Sequence, residues 1–95
     1  MLVSMIQFII EMPGNQSLKD KRRIVKSLKD RIQQRYRVSI AEVDLQESLR
    51  YAQLGAALVS NSRRYGESTM QRILKHVEEN APGRLMDAKI TTERF

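Results

Sequence analysis

The chain has 95 residues, a net charge of +6 and no cysteine. That length suits one domain over residues 1–95, able to bury roughly 60–65% of its unfolded surface and so to fold without metal or disulfide support. The lack of cysteine removes disulfides, thiol nucleophiles and thiolate metal sites at once, and fits a cytoplasmic protein.

Leu2 to Met12, LVSMIQFIIEM, is the longest apolar stretch. It is too short to cross a membrane and contains Gln7 and Glu11. No basic segment precedes it, and Pro13-Gly14 ends it, so neither a signal peptide nor a membrane span is expected. It reads as a strand, with Ile6, Phe8, Ile10 and Met12 on one face and Met5 and Ile9 on the other. A fully solvated second face would be more polar. Met12-Pro13-Gly14-Asn15 then has Pro and Gly placed for a type II turn.

Ser17 is the N-cap of a helix, with Asp20 at N3 in place of the usual Glu of a capping box. The helix runs to about Tyr36. On a wheel of 100° per residue, Leu18, Ile24, Val25, Leu28, Ile32 and Tyr36 fall within about a third of a turn and form the core stripe. Val38 to Leu45 is a second strand with imperfect alternation, and Gln46 to Arg50 a polar connection. Tyr51 to Ser60 is a third strand, whose Gly55-Ala56-Ala57 permits close packing. A second helix starts near Asn61-Ser62, uses Met70, Ile73, Leu74 and Val77 as its apolar face, and stops before Pro82-Gly83. Arg84 to about Thr92 is the last strand, with Met86, Ala88 and Ile90 on one side.

The order β-α-β-β-α-β predicts an α+β, ferredoxin-like sandwich with two helices on one face of a four-stranded, antiparallel-rich sheet. The expectation that goes with it here is that the first and third strands run parallel in the middle. Both helix starts would then lie side by side at one sheet edge. Each would bring free backbone N–H groups, a hydroxyl and cations: Ser17 and Lys21 from one, Ser62, Arg63 and Arg64 from the other. That arrangement would bind an anion. First-turn cations oppose the helix dipole, and Asp20 offsets only part of this. The competing reading is that carboxylates elsewhere in the fold neutralise them.

The whole excess of positive charge lies on one segment. Residues 19–37 hold nine lysines and arginines against Asp20 and Asp30, while the remaining chain holds eight bases and nine acids. A localised field suggests an acidic partner. Lys19, Arg22, Lys26 and Lys29 step along one line beside the core stripe, about 15 Å from first to last at 1.5 Å per residue, and Arg23 flanks it. Such a line matches successive phosphates of a nucleic-acid backbone, although basic side chains are also ordinary on a solvated helix face. Aromatic rings are few, so contacts to backbone or shape are expected rather than base stacking.

No catalytic residue, metal-ligand set or cofactor motif is found. His76 with Glu79 reads as a surface pair. Glu42 and Asp44 read as carboxylates sharing a solvated sheet face. Val3, Met5 and Ile9 suggest a homodimer through the open sheet face or an edge strand.

MPGNQSLKDKRR, VSIAEVD and LGAALVSN resemble the YlxP-like small bacterial proteins, a domain-of-unknown-function family of about this length. The resemblance covers nearly the whole chain and implies the same fold. It supplies no activity, but the family's association with genes of translation and ribosome maturation implies a ribosomal partner. The sequence departs from it in LQESLRYAQLG, where many members have a more acidic stretch. Three functions are thereby weighed. The first is a non-enzymatic RNA- or ribosome-associated protein using Lys19, Arg22, Arg23, Lys26 and Lys29. The alternative is a small-anion or metabolite-binding regulatory module at the paired helix starts, as a homodimer. The last is acyl phosphate hydrolysis, which the same fold supports elsewhere. It needs an arginine in the first turn, where this chain has Asn15 and Gln16.

Overall fold

Period-two burial along Leu2–Glu11 follows from its residue order. Leu2, Ser4, Ile6, Phe8 and Ile10 are buried, while Val3, Met5 and Ile9 are half-covered and Gln7 is exposed. This strand is β1 of a computed structural model that describes residues 1–14 and 17–95. The other elements are α1 (Leu18–Tyr36), β2 (Ser39–Asp44), β3 (Tyr51–Ser60), α2 (Arg63–Asn80) and β4 (Arg84–Arg94). The predicted β-α-β-β-α-β order is therefore present. The turn expected over Met12–Asn15 ends on Asn15, which lies outside the described residues.

The sheet order is β2-β3-β1-β4, and every neighbouring pair is antiparallel. The expectation of parallel first and third strands is thus wrong, for a topological reason. The crossover through α1 makes β2 parallel to β1. The tight β2–β3 connection makes β3 antiparallel to β2. Lying between them, β3 must oppose both.

Local chemistry sets the helix ends. Ser17 Oγ accepts from Asp20 N at 3.1 Å and Ser17 N donates to Asp20 Oδ2 at 3.4 Å, so the shortened acid closes the capping box. Helix α1 stops at Arg37, which takes a left-handed φ of 54° and donates its N–H to Gln33 O. In α2, Ser62 Oγ accepts from Tyr65 N at 3.1 Å. One turn on, Gly66 packs against β1: a Cβ there would land on Ser4 Oγ and lie 2.9 Å from Ser4 Cβ. Buried Ser4 is satisfied across the sheet by Thr92, with the hydroxyls 3.0 Å apart.

The core is a layer between sheet and helices. Ile6 and Ile10 stand opposite Ala56 and Ala52 of β3, large against small, while Phe8 faces Leu54. Val25, Leu28 and Ile32 from α1 and Met70, Ile73 and Val77 from α2 close it. Phe8 is buried, as its strand position predicts.

Two register shifts explain where alternation fails. Ile9 pairs with Asp87 and Ile10 with Leu85, leaving Met86 as the extra residue of β4. Met86 therefore turns outward, exposed, instead of joining Ala88 and Ile90 as expected. In β2, Glu42 pairs with Leu54 and Asp44 with Gln53, so Val43 is the extra residue. Glu42 consequently faces the helices and Asp44 the opposite side; the two carboxylates do not share a face.

Candidate functional site

The antiparallel register separates the two helix starts. Glu11, at the end of β1, is paired with Tyr51, whereas Ser60, at the end of β3, is paired with Leu2. The segments leading to Ser17 and to Ser62 therefore leave opposite ends of the sheet, about 30 Å apart along ten residues of strand. The expected joint anion site of Ser17, Lys21, Ser62, Arg63 and Arg64 does not form. At the α2 start, Arg63 Nη1 donates to Thr92 O at 3.4 Å and lies 3.5 Å from Glu67 Oε1. Arg64 is exposed and has no partner among the described residues.

At the α1 start, Lys21 is not a free cation. Its side chain is 1% exposed. Nζ donates to Leu45 O at 2.7 Å and lies 3.2 Å from Glu42 Oε2. The Glu42 contact is an ion pair whose angles fall outside those of a hydrogen bond, so this buried oxygen is compensated by charge alone. Leu45 has a left-handed φ of 63°, a conformation costing a non-glycine residue about 1–2 kcal/mol. Lys21 and Ser48 N, at 3.0 Å, both donate to its carbonyl and hold the β2–β3 connection in place. Lys21 is thus structural, and the reading in which the fold neutralises such a cation holds for it. The sequence contained the signal: Lys21 lies four and seven residues before Val25 and Leu28, on their face of the helix.

The other candidate cations of α1 behave differently. Lys19, Arg22, Arg23 and Lys26 are exposed and Lys29 is half-buried. Only Lys26 has an acidic partner among the described residues, Asp30 Oδ2 at 2.8 Å, and that lysine remains 73% exposed. Helix α1 packs on β2, and α2 on β4 and β1. Arg35 points to the side where α1 meets α2. The line Lys19, Arg22, Lys26, Lys29 lies almost half a turn around the helix from Arg35, on the flank away from α2. The structure therefore keeps these cations together on an outward helix flank.

Sequence reasoning missed a second basic cluster, where α1 and α2 meet. Arg35, Tyr36, Arg72, Lys75, His76, Glu79 and Asn80 line a cleft of about 310 Å³. His76 is buried rather than on the surface, and both ring nitrogens lack a hydrogen-bond partner among the described residues. An unsatisfied buried polar group of this kind costs about 1–3 kcal/mol. Burial of the ring, aided by the Arg35 and then the Arg31 guanidinium, holds His76 below its usual value of 6.5, against an opposing pull from Glu79. Tyr36 meets the imidazole edge-on with centroids 5.9 Å apart. The signal was again periodicity: His76 is three residues after Ile73 and adjacent to Val77, both core.

Among the described residues, no group of three acidic, histidine or cysteine side chains is arranged to hold a metal ion. No helix among them is long and apolar enough to cross a membrane.

An antiparallel sheet covered on one face by two helices, one carrying an outward cationic flank, defines an α+β sandwich of the ferredoxin-like class. A structural-genomics protein, YjcS, shares the fold with a TM-score of 0.57 over 94% of this chain and 96% of its own, at 10% identity. A designed protein with a ferredoxin fold matches with a TM-score of 0.50 over 98% of this chain and 83% of its own, at 16% identity. The chain belongs to the family described as protein of unknown function (DUF503), which matches residues 3–90. The uncharacterized protein YlxP of Bacillus subtilis (strain 168) is 37% identical over 62 residues, covering 65% of this chain and 67% of that relative.

Proposed function

We propose that the protein binds RNA, free or within the ribosome, through the outer flank of α1. Lys19, Arg22, Arg23, Lys26 and Lys29 contact backbone phosphates, and the protein acts by binding rather than by a reaction of its own. One observation carries this reading. Within a single helix, Lys21 is consumed by the fold, whereas Lys19, Arg22, Arg23 and Lys29 have no carboxylate partner among the described residues. Of these, Lys19 stands in the first turn, where a cation weakens the helix, and its presence there without a partner supports a role outside the fold.

Fluorescence anisotropy with a labelled ribosomal RNA fragment, titrated at several salt concentrations, tests this. Five phosphate contacts give a log–log salt slope of about −3.5 to −4.5. The Lys19/Arg22/Lys26/Lys29→Glu variant abolishes the binding. A flat salt response, or undiminished binding by that variant, overturns the proposal.

A second reading, self-association through the open sheet face, has its own supporting observation. Val43 and Val59 are 47% and 62% exposed there. A shallow groove of about 260 Å³, lined in part by Met5, Ala41, Val43 and Ala57, lies beside them. Sedimentation equilibrium of the wild type and of Val43→Asp decides it: dimer lost on substitution supports this reading, and a wild-type monomer ends it.

A further inference from the structure

The cleft between α1 and α2 lies on the other side of α1 from the proposed RNA-binding flank, and its two guanidiniums have no carboxylate partner among the described residues. The Arg35 and Arg72 guanidiniums stand 5.6 and 5.8 Å from the Tyr36 ring centroid. Neither has an acidic partner among the described residues. Lys75 is 3.9 Å from Glu79 and 76% exposed, a loose surface pair. Arg35 sits in the last turn of α1, where a cation suits the helix dipole, but Arg72 and Lys75 lie outside the last turn of α2. Two guanidiniums and an ammonium against one carboxylate leave the cleft with net positive charge. Beneath them is a buried imidazole whose nitrogens have no hydrogen-bond partner among the described residues.

We propose that this cleft binds a phosphate group, with Arg35, Arg72 and Lys75 as its charged ligands and His76 in its wall. Guanidinium forks fit phosphate oxygens with paired, charge-assisted hydrogen bonds, and a ring that orders both forks reduces what binding must immobilise. The volume of about 310 Å³ admits a phosphate with a small organic group attached. The phosphate comes either from a small ester or from an RNA backbone.

Occupancy has a distinct signature. The titratable and charged groups facing His76 are Arg31, Arg35 and Tyr36 from α1 and Arg72, Lys75 and Glu79 from its own helix. A bound phosphate anion offsets the guanidiniums and so favours the protonated imidazole. His76 is the only histidine of the chain, so in the tag-free protein its ring resonances report without ambiguity.

The experiment is an NMR pH titration of the His76 ring with inorganic phosphate, with a short RNA, and with sodium chloride at matched ionic strength. An upward shift of the midpoint with phosphate beyond that with chloride supports the site and assigns it to small phosphates. A shift with RNA alone that persists in the Lys19/Arg22/Lys26/Lys29→Glu variant supports the site and assigns it to the polymer, and one that is lost in that variant overturns it. Arg72→Gln raises the half-saturating concentration about tenfold, the loss expected of one charge-assisted hydrogen bond. Backbone amide shifts of residues 72–76 follow the same curve. The outer-flank Glu variant keeps the response to inorganic phosphate, so failure of the RNA proposal does not decide this one. If neither phosphate nor RNA moves His76 more than chloride does, the inference is wrong.

Discussion

Lys21 and Arg22 are neighbours in sequence and opposite in fate. The Lys21 side chain is sealed between Leu45 O and Glu42, whereas Arg22 projects into solvent with no partner among the described residues. Their difference in azimuth, about 100°, decides whether a positive charge belongs to the core or remains available. Counting charge along a segment therefore overstates what a partner meets. What remains after removing the cations that the fold uses is the better measure of a binding surface.

The largest expected effect breaks that contrast from the structural side. Glu42→Ala strands a buried ammonium and destabilises the protein by about 3 kcal/mol in chemical denaturation. Lys21→Met combined with Glu42→Leu recovers most of this, because an apolar pair of similar volume needs no charge compensation. By contrast, Lys19→Ala, Arg22→Ala or Arg23→Ala each changes stability by less than about 0.5 kcal/mol in the same assay. If Arg22→Ala is as damaging as Glu42→Ala, the two positions do not differ as described.

Of intermediate size is Gly66→Ala. The added methyl collides with Ser4, and the overpacking costs about 1–3 kcal/mol, outweighing alanine's helix advantage of about 1 kcal/mol. A melting temperature at or above wild type would refute the close approach of α2 to β1.

The smallest effect concerns pH. The folded state holds His76 below its unfolded value of 6.5, so between those values the unfolded chain binds more protons. Stability is unaffected by this group above 6.5 and falls as pH drops from there through the folded value. His76→Phe removes that dependence, and melting curves from neutral to mildly acidic pH measure the difference between the two proteins. Parallel curves would contradict the burial of the imidazole.

The element order was legible because each segment has clear punctuation: Pro13-Gly14, the Ser17–Asp20 cap, the Ser62 cap and Pro82-Gly83. Strand direction was legible too, since the α1 crossover and the β2–β3 hairpin together fix it. Taking β1 and β3 as parallel brought together two helix starts that the sheet holds at opposite ends. The register shifts at Val43 and Met86 were not legible, since a single extra residue leaves no mark in composition and reverses the facing of the residues beyond it. Lys21 and His76 were hidden differently. Their spacing to Val25, Leu28 and Ile73 marked them as inward, but a charged or titratable residue type argues for solvent. The partners come from distant segments: Glu42 and Leu45 compensate the Lys21 ammonium, whereas Tyr36 gives the His76 ring a packing surface and leaves its nitrogens without a hydrogen bond among the described residues.

The enclosure of Lys21 also gives the protein a built-in chronometer of local opening. A mild acylating reagent modifies Lys19 and Lys26 at once, but reaches the Lys21 amine only when the start of α1 lifts from the β2–β3 corner. The lag between those reactions, read peptide by peptide in a mass spectrometer, reports how often that corner breathes. Any ligand that grips the helix start lengthens the lag without touching the amine itself.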